Sequence, residues 1–574
     1  MNLANLGLSG LYAAQKRMQV SGHNLNNADT VGYNRQSVLS QTAGSVGTGS
    51  GFYGRGVQAV TVQRSYDNFL YQQLVRSQTA GAALVSYGNE ISQLDNLFSD
   101  RTVGISPALQ KFFDGFEALA SQPADSSARQ ELLGRAESLA TQVNDATSYM
   151  NRVNENINTQ LDTTVTQINS YLERINDVNQ QIVSAKGSNP FHEPNDLLDQ
   201  REQLVSELSQ LGDVRTVEQN GRISVTTVGG QLLLGADKIY PLHAVRSAEN
   251  PERTVVGFTS SLGNNGEPVI SEFRDGALKG GSLGGLLQFR SESLEPAISN
   301  LGRLAVGLAQ SVNELHRQGF DLKGDQGQDF FNVSSPKVTG NGRNSASSAN
   351  PVVNFAPKQT YPDPSDPNKT LETNPTADLT GQNYRIERVG GEFKLRNLTT
   401  NNVTDLNDAT TNNGITVVDG LEINVTGLDA NSADGDSWLI QPTAMAGSSL
   451  SVAIKNPQDI AAAAGSTGTA NGDIAQKLGN LRNDKVLGNG SLSLNDAFGQ
   501  IVNRIAVQTQ QNGTAAKAQA KLIEQNYAAQ QSLSGVNQDE EYIMLERYQE
   551  QYRASARLID ISSQLFDTLL NLRA

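Results

Sequence analysis

A pattern of small residues around Ser282 comes nearest to a catalytic motif in this sequence. Gly280–Gly284 fits the G-x-S-x-G turn that presents a serine nucleophile in α/β hydrolases. That turn needs a strand before it, a later Asp and His, and a repeating α/β frame. The only later histidine is His316, at the end of an amphipathic segment, and the α/β alternation is missing. The glycines are therefore better explained as letting the chain turn into the helix that follows.

Three further patterns resemble binding sites, and each departs from its motif at a position that matters. His192 could begin a zinc-protease helix, but Pro194 follows closely and no second histidine comes at the required spacing. Asp429–Asp434 resembles a calcium loop, yet Ile440 stands where the bidentate glutamate is needed. Gly54–Ala59 fits a degenerate dinucleotide fingerprint, but a strand-like run follows it where phosphate binding needs a helix N-terminus. The sequence therefore predicts no catalytic residue, metal site or cofactor, and no enzyme.

The composition narrows the class of protein further. With 44 Lys and Arg against 59 Asp and Glu, the 574-residue chain has a net charge of -15. Nucleic acids and anionic membrane surfaces both require clustered positive charge, which the sequence lacks. Cysteine is absent, and this excludes disulfides and thiolate sites. Hydrophobic residues make up 37% and aromatic residues 6%, so elongated helices and thin β-domains are favoured over one large globule.

The sequence also bears on membranes and export. No stretch approaches the roughly 18 continuous apolar residues that span a bilayer, so we expect no membrane insertion. Met1–Asn27 lacks the basic start and apolar run of a cleaved signal peptide. Two interpretations stay open: a cytoplasmic protein, or one exported by a machine that does not use a cleaved signal.

The longest periodic signal runs from Ala128 to Lys186 and predicts a helical rod. Its apolar stripe follows heptad spacing with one extra residue near Leu161, where a break stays open. The stripe is Leu132, Ala136, Leu139, Val143, Ala146, Met150, Val153, Ile157, Leu161, Thr164, Ile168, Tyr171, Ile175, Val178 and Ile182. A continuous helix would be roughly 80 Å long and would need partners along its length.

Several other segments can supply those partners. A helical stripe follows Ser65, and a short phenylalanine-rich helix follows Pro107. Asp196–Leu211 is predicted to be a helix in which the chain turns back. Leu294–Leu315 carries a heptad stripe, and Phe498–Leu533 carries a weaker, more polar stripe. Together these segments predict an elongated helical bundle.

Both ends of the chain carry apolar stripes that we interpret as an assembly interface. The candidate residues are Leu8, Leu11, Met18, Leu25, Leu545, Tyr548, Tyr552, Ile559, Phe566 and Leu569. The plainer alternative is that both helices pack on the protein's own core. Two features oppose it: a Gly/Ser-rich loop over Ser40–Gly56, and small or polar interruptions such as Gly22 and Ser555. One narrow seam offsets little of the ordering cost of about 1–2 kcal/mol per residue, so we expect folding on assembly.

Two β-rich insertions separate the helical segments. Val217–Val228 alternates around Asn220-Gly221, a strong hairpin signal because both residues tolerate positive φ. The second insertion has a Pro/Asp-rich loop at Tyr361–Asn368 and strands on either side of Gly390-Gly391. Its late strand carries the only tryptophan, Trp438.

The fold class predicted is therefore multidomain α+β. An elongated helical bundle or coiled-coil body is formed from both ends of the chain, and small β-rich domains are inserted into it. The predicted domains are 1–60 plus 536–574 as a terminal helical polymerisation domain, 61–211 plus 281–325 plus 445–535 as the bundle, 212–280 as a small β-rich insertion, and 326–444 as an outward β-rich insertion.

Particular residue runs resemble a known family. Ser9–Gln15, Asn24–Ala28 and Gly32–Gln36 resemble the N-terminal signature of flagellar rod, hook and hook-associated proteins. Further matching runs are Arg64–Asp67, Pro194–Arg201, Gly284–Leu287, Gly535–Glu541 and Phe566–Leu570, with His316, Gly319, Asp321, Gly327 and Phe330-Phe331. Together these resemble the FlgK family of hook-associated proteins, over both termini and the helical body.

The resemblance implies a structural protein of the bacterial flagellum at the hook–filament junction. Such proteins are secreted unfolded through the flagellar type III export apparatus, with a chaperone, and polymerise at the distal end of the hook. A ring of copies around the axis joins hook protein to hook-associated protein 3 and the filament. The terminal helices form an inner tube, and the insertions face outward.

Two alternatives stay open. A hook or rod axial protein shares the terminal signature but lacks long heptad helices between Ser65 and Lys186. A secreted adhesin would act through the β-insertion, and its binding would survive deletion of both terminal helices.

Overall fold

The computed structural model describes residues 3–49, 51–99, 104–262, 267–345, 349–363, 366–406, 415–426, 428, 432–467 and 471–572. Asp429 and Asn431 of the calcium-like pattern lie outside these residues. Asp434, which is described, accepts hydrogen bonds from the backbone N–H groups of Gly390 and Gly391 at 3.0 and 2.9 Å. This carboxylate therefore stabilises a hairpin turn.

Helices form the body and both ends of the molecule. They are α1 (Leu3–Asn26), α2 (Asn68–Ser99), α3 (Ile105–Ser121), α4 (Ser126–Ser188), α5 (Asn195–Leu211), α6 (Gly281–Phe289), α7 (Glu295–Arg317), α8 (Pro375–Asp378), α9 (Ala446–Ser449), α10 (Asp473–Asn480), α11 (Leu494–Ser534) and α12 (Gln538–Asn571). A π-helical turn at Arg290–Leu294 joins α6 to α7, and Pro457–Asp459 forms a 3-10 turn.

The predicted rod is the continuous 63-residue helix α4, which Asp125 caps by accepting a hydrogen bond from the Ser127 N–H. The helix does not break at Leu161, which is 0% exposed. The extra residue in the stripe is accommodated because Val165 and Leu172 are buried where Tyr171 is only half-buried. The heptad prediction is thus confirmed in this segment, with a small rotation of the buried face.

The core of the body lies where α3, α5, α6 and α7 pack against α4. A cluster of aromatic rings from α3 and from the strand after α7 fills one end of it. The Phe112 ring packs edge-to-face against Phe116 and at a tilt against Phe331, with ring centroids 5.1 and 5.4 Å apart, and Phe330 packs against Phe116. Aromatic packing of this kind makes the body a unit with its own apolar interior.

The strands form small antiparallel sheets. They are β1 (Gln36–Thr42), β2 (Ser45–Thr48), β3 (Gly51–Gly54), β4 (Val57–Arg64), β5 (Val214–Gln219), β6 (Arg222–Thr227), β7 (Leu232–Leu234), β8 (Leu242–Arg246), β9 (Thr254–Leu262), β10 (Pro268–Glu272), β11 (Phe331–Asn332), β12 (Lys337–Gly340), β13 (Val352–Phe355), β14 (Thr360–Asp363), β15 (Asp366–Glu372), β16 (Tyr384–Val389), β17 (Glu392–Asn397), β18 (Val403–Asp405), β19 (Ile415–Val418), β20 (Leu421–Asn424), β21 (Ser437–Gln441) and β22 (Ser451–Val452).

Small antiparallel sheets build each insertion. The first insertion has the strand orders β5-β6-β7 and β10-β9-β8; the second has β12-β21-β16-β17-β18 and β13-β20-β19. The predicted hairpin turns are confirmed, since Asn220 and Gly221 have φ values of 54° and 78° and Gly390 has 65°. Trp438 in β21 is 0% exposed and packs 6.1 Å from Phe393. The expected mixture of long helices and small β-rich insertions is therefore what the chain forms.

Two segments predicted as loops are strands. The Gly/Ser-rich run Ser40–Gly56 belongs to a β-ribbon in which β1 pairs with β4 and β2 pairs with β3. Gly44, with a φ of 83°, lies between β1 and β2, whereas Gly47, Gly51 and Gly54 lie within the paired strands β2 and β3. Strand β4 runs across the predicted domain boundary at residue 60. The Pro/Asp-rich run Tyr361–Asn368 likewise contains the paired strands β14 and β15.

The glycines of the serine-nucleophile pattern serve helix packing. A Cβ on Gly281 would lie 2.6 Å from the Leu211 carbonyl oxygen, so only glycine lets the start of α6 approach the end of α5 this closely. His316 is fully buried between α7 and the chain after it. Its Nε2 accepts the Ala461 N–H at 2.8 Å, and its Nδ1 faces the Gln328 carbonyl oxygen at 2.5 Å. Both ring nitrogens are therefore occupied by backbone groups.

Candidate assembly interface

The two ends of the chain meet in an antiparallel helix pair, which we call the terminal pair (α1 and α12). Gly7 faces Ile559, and Arg17 near the middle of α1 donates a hydrogen bond to Gln551 at 3.2 Å and lies 5.6 Å from the Tyr548 ring. Arg35, after α1, donates to Glu541 at the start of α12 at 2.7 Å. The two helices therefore run side by side along the length of α1.

Small residues set the distance between these helices. A Cβ on Gly7 would lie 2.8 Å from Ile559 Cγ1, and one on Gly10 would lie 2.5 Å from Ser555 Oγ. The residues of α1 that are buried are correspondingly small or polar: Gly7, Ala13, Ala14, Ser21 and Asn24. Close approach of backbones with little apolar volume between them gives a thin contact that stabilises the pair weakly.

The residues predicted for the interface fall into two groups. Half-buried are Leu11, Met18, Leu25, Leu545, Tyr548 and Ile559. Exposed are Leu8 (42%), Tyr552 (36%), Phe566 (62%) and Leu569 (65%). The chain itself fully buries none of the ten, so their apolar surface stays available to a neighbouring molecule. Sequence reasoning missed Gly7, Gly10 and Ala14; their signal was small residues at steps of three and four.

The far end of α12 extends beyond α1. Because Gly7 faces Ile559 in an antiparallel pair, Leu3 lies about one turn further along, near Ser563. Beyond that level the large side chains of α12 are exposed: Leu565 (50%), Phe566 (62%), Leu569 (65%), Leu570 (53%) and Leu572 (79%). Apolar side chains rarely cluster on a surface that stays in water, so this end of α12 has the character of an interaction surface.

A polar joint links the terminal pair to the body. Asp199 on α5 accepts the Asn34 backbone N–H at 3.0 Å, the Asn34 side-chain amide at 2.6 Å and Arg64 Nη1 at 2.7 Å. Arg64, at the end of β4, also donates to Glu202 at 3.0 Å. Asn34, Arg64 and Asp199 belong to runs that carried the family resemblance, and the structure gives them a common role in holding the segment after α1 and strand β4 on α5.

The electrostatics of the joint reflect its burial. Desolvation raises the pKa of the Asp199 carboxyl above its ordinary value, although Arg64 and the Asn34 donors act in the opposite direction. Desolvation also raises the pKa of Glu202 against the effect of Arg64. A buried charge without its partner is strongly destabilising, so the joint depends on all of its members being in place.

Within the described ranges, no three His, Asp or Glu side chains gather in an arrangement suited to a metal ion. Over the same residues, none of the helices offers the apolar length that a bilayer crossing requires. The terminal pair, the joint and the exposed end of α12 are therefore the features on which a function can be argued.

The chain is similar to known proteins. A family model described as the flagellar hook-associated protein FlgK helical domain matches residues 91–331. Flagellar hook-associated protein 1 of Salmonella typhimurium is 35% identical over 582 residues, and that of Escherichia coli K12 is 33% identical over 578; each alignment covers 100% of both chains. The structure of the flagellar hook junction protein FlgK from Burkholderia pseudomallei matches with a TM-score of 0.70 at 27% identity, covering 80% of this chain and 100% of that one.

These relatives confirm the resemblance found in the sequence. They do not favour a hook or rod protein, nor an adhesin, since the alignments to two proteins named flagellar hook-associated protein 1 cover 100% of this chain. The chain belongs to the flagellar hook-associated protein 1 (FlgK) family and is a structural component of the hook–filament junction of the bacterial flagellum.

Proposed function

We propose that the terminal pair assembles, copy against copy, into a ring around the flagellar axis at the distal end of the hook. The supporting observation is the exposed end of α12, where Leu565, Phe566, Leu569 and Leu570 are each at least half exposed. Covering the exposed half of such a side chain contributes about 1 kcal/mol, so four of them supply a useful driving force per copy. A ring multiplies that contribution, because each copy has two neighbours.

The proposal extends to neighbours and location. The chain is secreted through the flagellar export apparatus with its chaperone, binds hook protein on one side and hook-associated protein 3 on the other, and resides in the extracellular flagellum. It acts without enzymatic activity, without nucleic acid and without inserting into a membrane. Its net charge of -15 and its lack of basic clusters support the last two points.

We further propose a position for each domain in the assembled junction. Residues 1–60 with 536–574 form the axial core, and the bundle of 61–211, 281–325 and 445–535 surrounds it. The insertions 212–280 and 326–444 face outward. The hydrogen bonds that Asn34, in residues 1–60, donates to Asp199 in the bundle support a firm connection between core and bundle.

Charged substitutions at the exposed end of α12 test the proposal. Phe566→Asp with Leu569→Asp should leave the isolated chain folded, because both side chains lie in solvent, yet it should abolish incorporation into junctions and filament growth. Val417→Asp is the matched control, since Val417 on the outer insertion is 53% exposed and lies far along the chain from the terminal pair. Normal motility of the double variant would refute the assignment of this surface.

A further inference from the structure

The two β-insertions touch each other at the loop of residues 247–253 between β8 and β9, which we call the bridging loop. Its Ala248 carbonyl oxygen accepts the N–H of Gly342, just after β12 of the second insertion, at 2.7 Å. Its Glu249 carboxylate accepts two hydrogen bonds from Arg385 on β16, both at 2.6 Å. The bridging loop of the first insertion therefore reaches across to the five-stranded sheet of the second.

Two further ion pairs between the insertions divide their charges in the same way. Glu252 in the bridging loop lies 2.6 Å from the Lys337 ammonium on β12, and Glu272 on β10 lies 3.7 Å from Arg343. The first insertion contributes the carboxylates, and the second contributes the cations. We define the inter-insertion contact as the pairs Ala248–Gly342, Glu249–Arg385, Glu252–Lys337 and Glu272–Arg343.

Open clefts flank the inter-insertion contact. Their volumes are about 930 and 860 Å³, and both are lined by Asn250 of the bridging loop and Asn383 of the second insertion. The Glu252 and Arg343 side chains are 68% and 65% exposed. Much of the charge in the contact therefore lies beside water, where the attraction between ion pairs is weak and is screened by salt.

The bridging loop is held on the helical body by bonds of a different kind. Asn158 on α4 donates to a carbonyl oxygen of the loop at 3.0 Å and accepts the Thr254 N–H at 2.9 Å. Arg290, which is 0% exposed, donates to the Thr254 carbonyl oxygen at 2.7 Å, and Arg253 adds an ion pair with Glu295 on α7 at 3.5 Å. Neutral or buried hydrogen bonds respond little to salt. The bridging loop therefore stays on the body when the exposed charges are screened.

The second insertion has a separate attachment to α7. Thr443 Oγ1 donates to the Ser299 carbonyl oxygen at 2.7 Å, and a Cβ on Gly302 would collide with the Thr443 carbonyl oxygen. The chain backbones are therefore in close contact at this point. Loss of the inter-insertion contact would move the Gly342 edge of the second insertion without detaching the domain.

We propose that the inter-insertion contact is a latch. At low ionic strength it holds the second insertion on the bridging loop, and it releases that insertion as salt screens its charges. The latch goes beyond the proposed ring, because all of its residues lie in one chain and it operates in the isolated molecule. In the released state the second insertion changes its orientation at the Gly342 edge, while the helical body keeps its structure.

Amide hydrogen exchange of the isolated full-length chain tests the latch without any substitution. The Gly342 N–H is bonded across the contact, whereas the Thr254 N–H is bonded to Asn158 on the body. Raising the salt from about 0.01 to about 1 M shortens the Debye length from about 30 to about 3 Å, so exchange of Gly342 should speed up roughly three- to tenfold. Exchange of Thr254 should change by less than about twofold.

Two outcomes of this experiment would overturn the latch. One is exchange of Gly342 that does not respond to salt. The other is equal acceleration of Gly342 and Thr254, because the whole fold would then be loosening rather than this contact.

Removal of one charge gives a second measurement. Arg385→Gln removes both bonds to Glu249 and should speed Gly342 exchange roughly three- to tenfold at low salt, with a smaller further effect of salt. Lys394→Gln is the matched control, since Lys394 on β17 pairs with carboxylates of its own insertion, and it should leave Gly342 exchange unchanged. Equal effects of the two variants would contradict the assignment of Arg385 to the latch.

A disulfide can hold the latch closed, because the chain contains no native cysteine. A Cβ on Gly342 would lie 3.8 Å from Ala248 Cα, so the double variant Ala248→Cys, Gly342→Cys places two thiols within bonding reach. In its reduced form, trypsin cleavage after Arg343 should speed up roughly two- to fivefold with salt relative to its oxidised form, because cleavage follows the population of the open state. The same salt dependence in both forms would overturn the latch.

Discussion

Helix α4 in the body and helix α12 in the terminal pair have similar sequence periodicity but opposite burial. Of the 63 residues of α4, 21 are buried, and most of these are large and apolar. Of the 34 residues of α12, only Glu541 and Ser562 are buried, and both are polar. An apolar heptad stripe therefore does not by itself say whether its partner is in the same chain. The body finds its partners within one molecule, whereas the large apolar side chains of α12 stay partly or fully exposed.

The difference begins with the residues on the opposing helices. Around α4, the side chains of α3, α5 and α7 supply volume, as Phe112 and Leu301 do at 0% exposure. Opposite α12, α1 supplies Gly7, Gly10 and Ala14, which bring backbones together and bury little. The stabilisation gained by burial scales with the apolar area buried, so packing within one chain stabilises the body more than it stabilises the terminal pair.

The largest expected effect on the free energy of unfolding comes from truncating a buried leucine, and an exposed leucine provides the comparison. Leu161→Ala in α4 should lower the free energy of unfolding by about 2–5 kcal/mol, because it leaves a cavity where the native side chain is 0% exposed. Leu565→Ala in α12, at 50% exposure, should change it by no more than about 0.5 kcal/mol. Urea unfolding of the isolated chain measures both. An equally large loss for Leu565→Ala would mean that the end of α12 is already packed in the single chain.

A smaller effect is expected at the joint that connects the two regions. Asp199→Asn places an amide where three donors converge, and should lower the free energy of unfolding by about 1–3 kcal/mol. It should also speed proteolytic cleavage between α1 and α2. Glu193→Gln is the control, since its exposed ion pair with Lys186 should contribute about 0.5 kcal/mol at most. Equal behaviour of the two variants would show that the joint does not hold the regions together.

The smallest expected effect is a pH dependence of the free energy of unfolding that arises in the body. Burial lowers the pKa of His316 in the folded body below its unfolded value of about 6.5. The unfolded chain then binds more protons as the pH falls below about 6.5, so the stability that neutral His316 contributes is complete above that pH and is lost below it. His316→Gln should reduce this fall in the free energy of unfolding. An unchanged pH dependence in His316→Gln would contradict the role assigned to the buried ring.

Much of the fold could be predicted because its signals are local. The stripe from Leu132 to Ile182 determines α4, and the positive-φ pairs at Asn220-Gly221 and Gly390-Gly391 determine the hairpins. The ribbon between Gln36 and Arg64 could not be recognised, because its glycines suggest a loop unless pairing across the turn is known. Gln36 pairs with Arg64, 28 residues later, and such pairing depends on tertiary contacts that a local sequence pattern does not contain.

The site could be predicted only in outline. The spacing of large apolar residues predicts the terminal stripes. The same spacing does not reveal Gly7 and Gly10, which set the distance between the two helices. The joint was visible only as part of the family resemblance. The spacing of Asn34, Arg64 and Asp199 in the sequence does not indicate that they lie together. Asn34 and Asp199 form a hydrogen bond although they are 165 residues apart.

Amide hydrogen exchange of the isolated chain and of purified hook–filament junctions tests most directly whether the terminal pair depends on neighbouring copies. In the isolated chain, amides of α4 around Leu161 should be strongly protected, and amides of α12 beyond Ile559 should exchange quickly. In junctions, both regions should be protected. Strong protection of α12 beyond Ile559 in the isolated chain, equal to that of α4, would contradict the account.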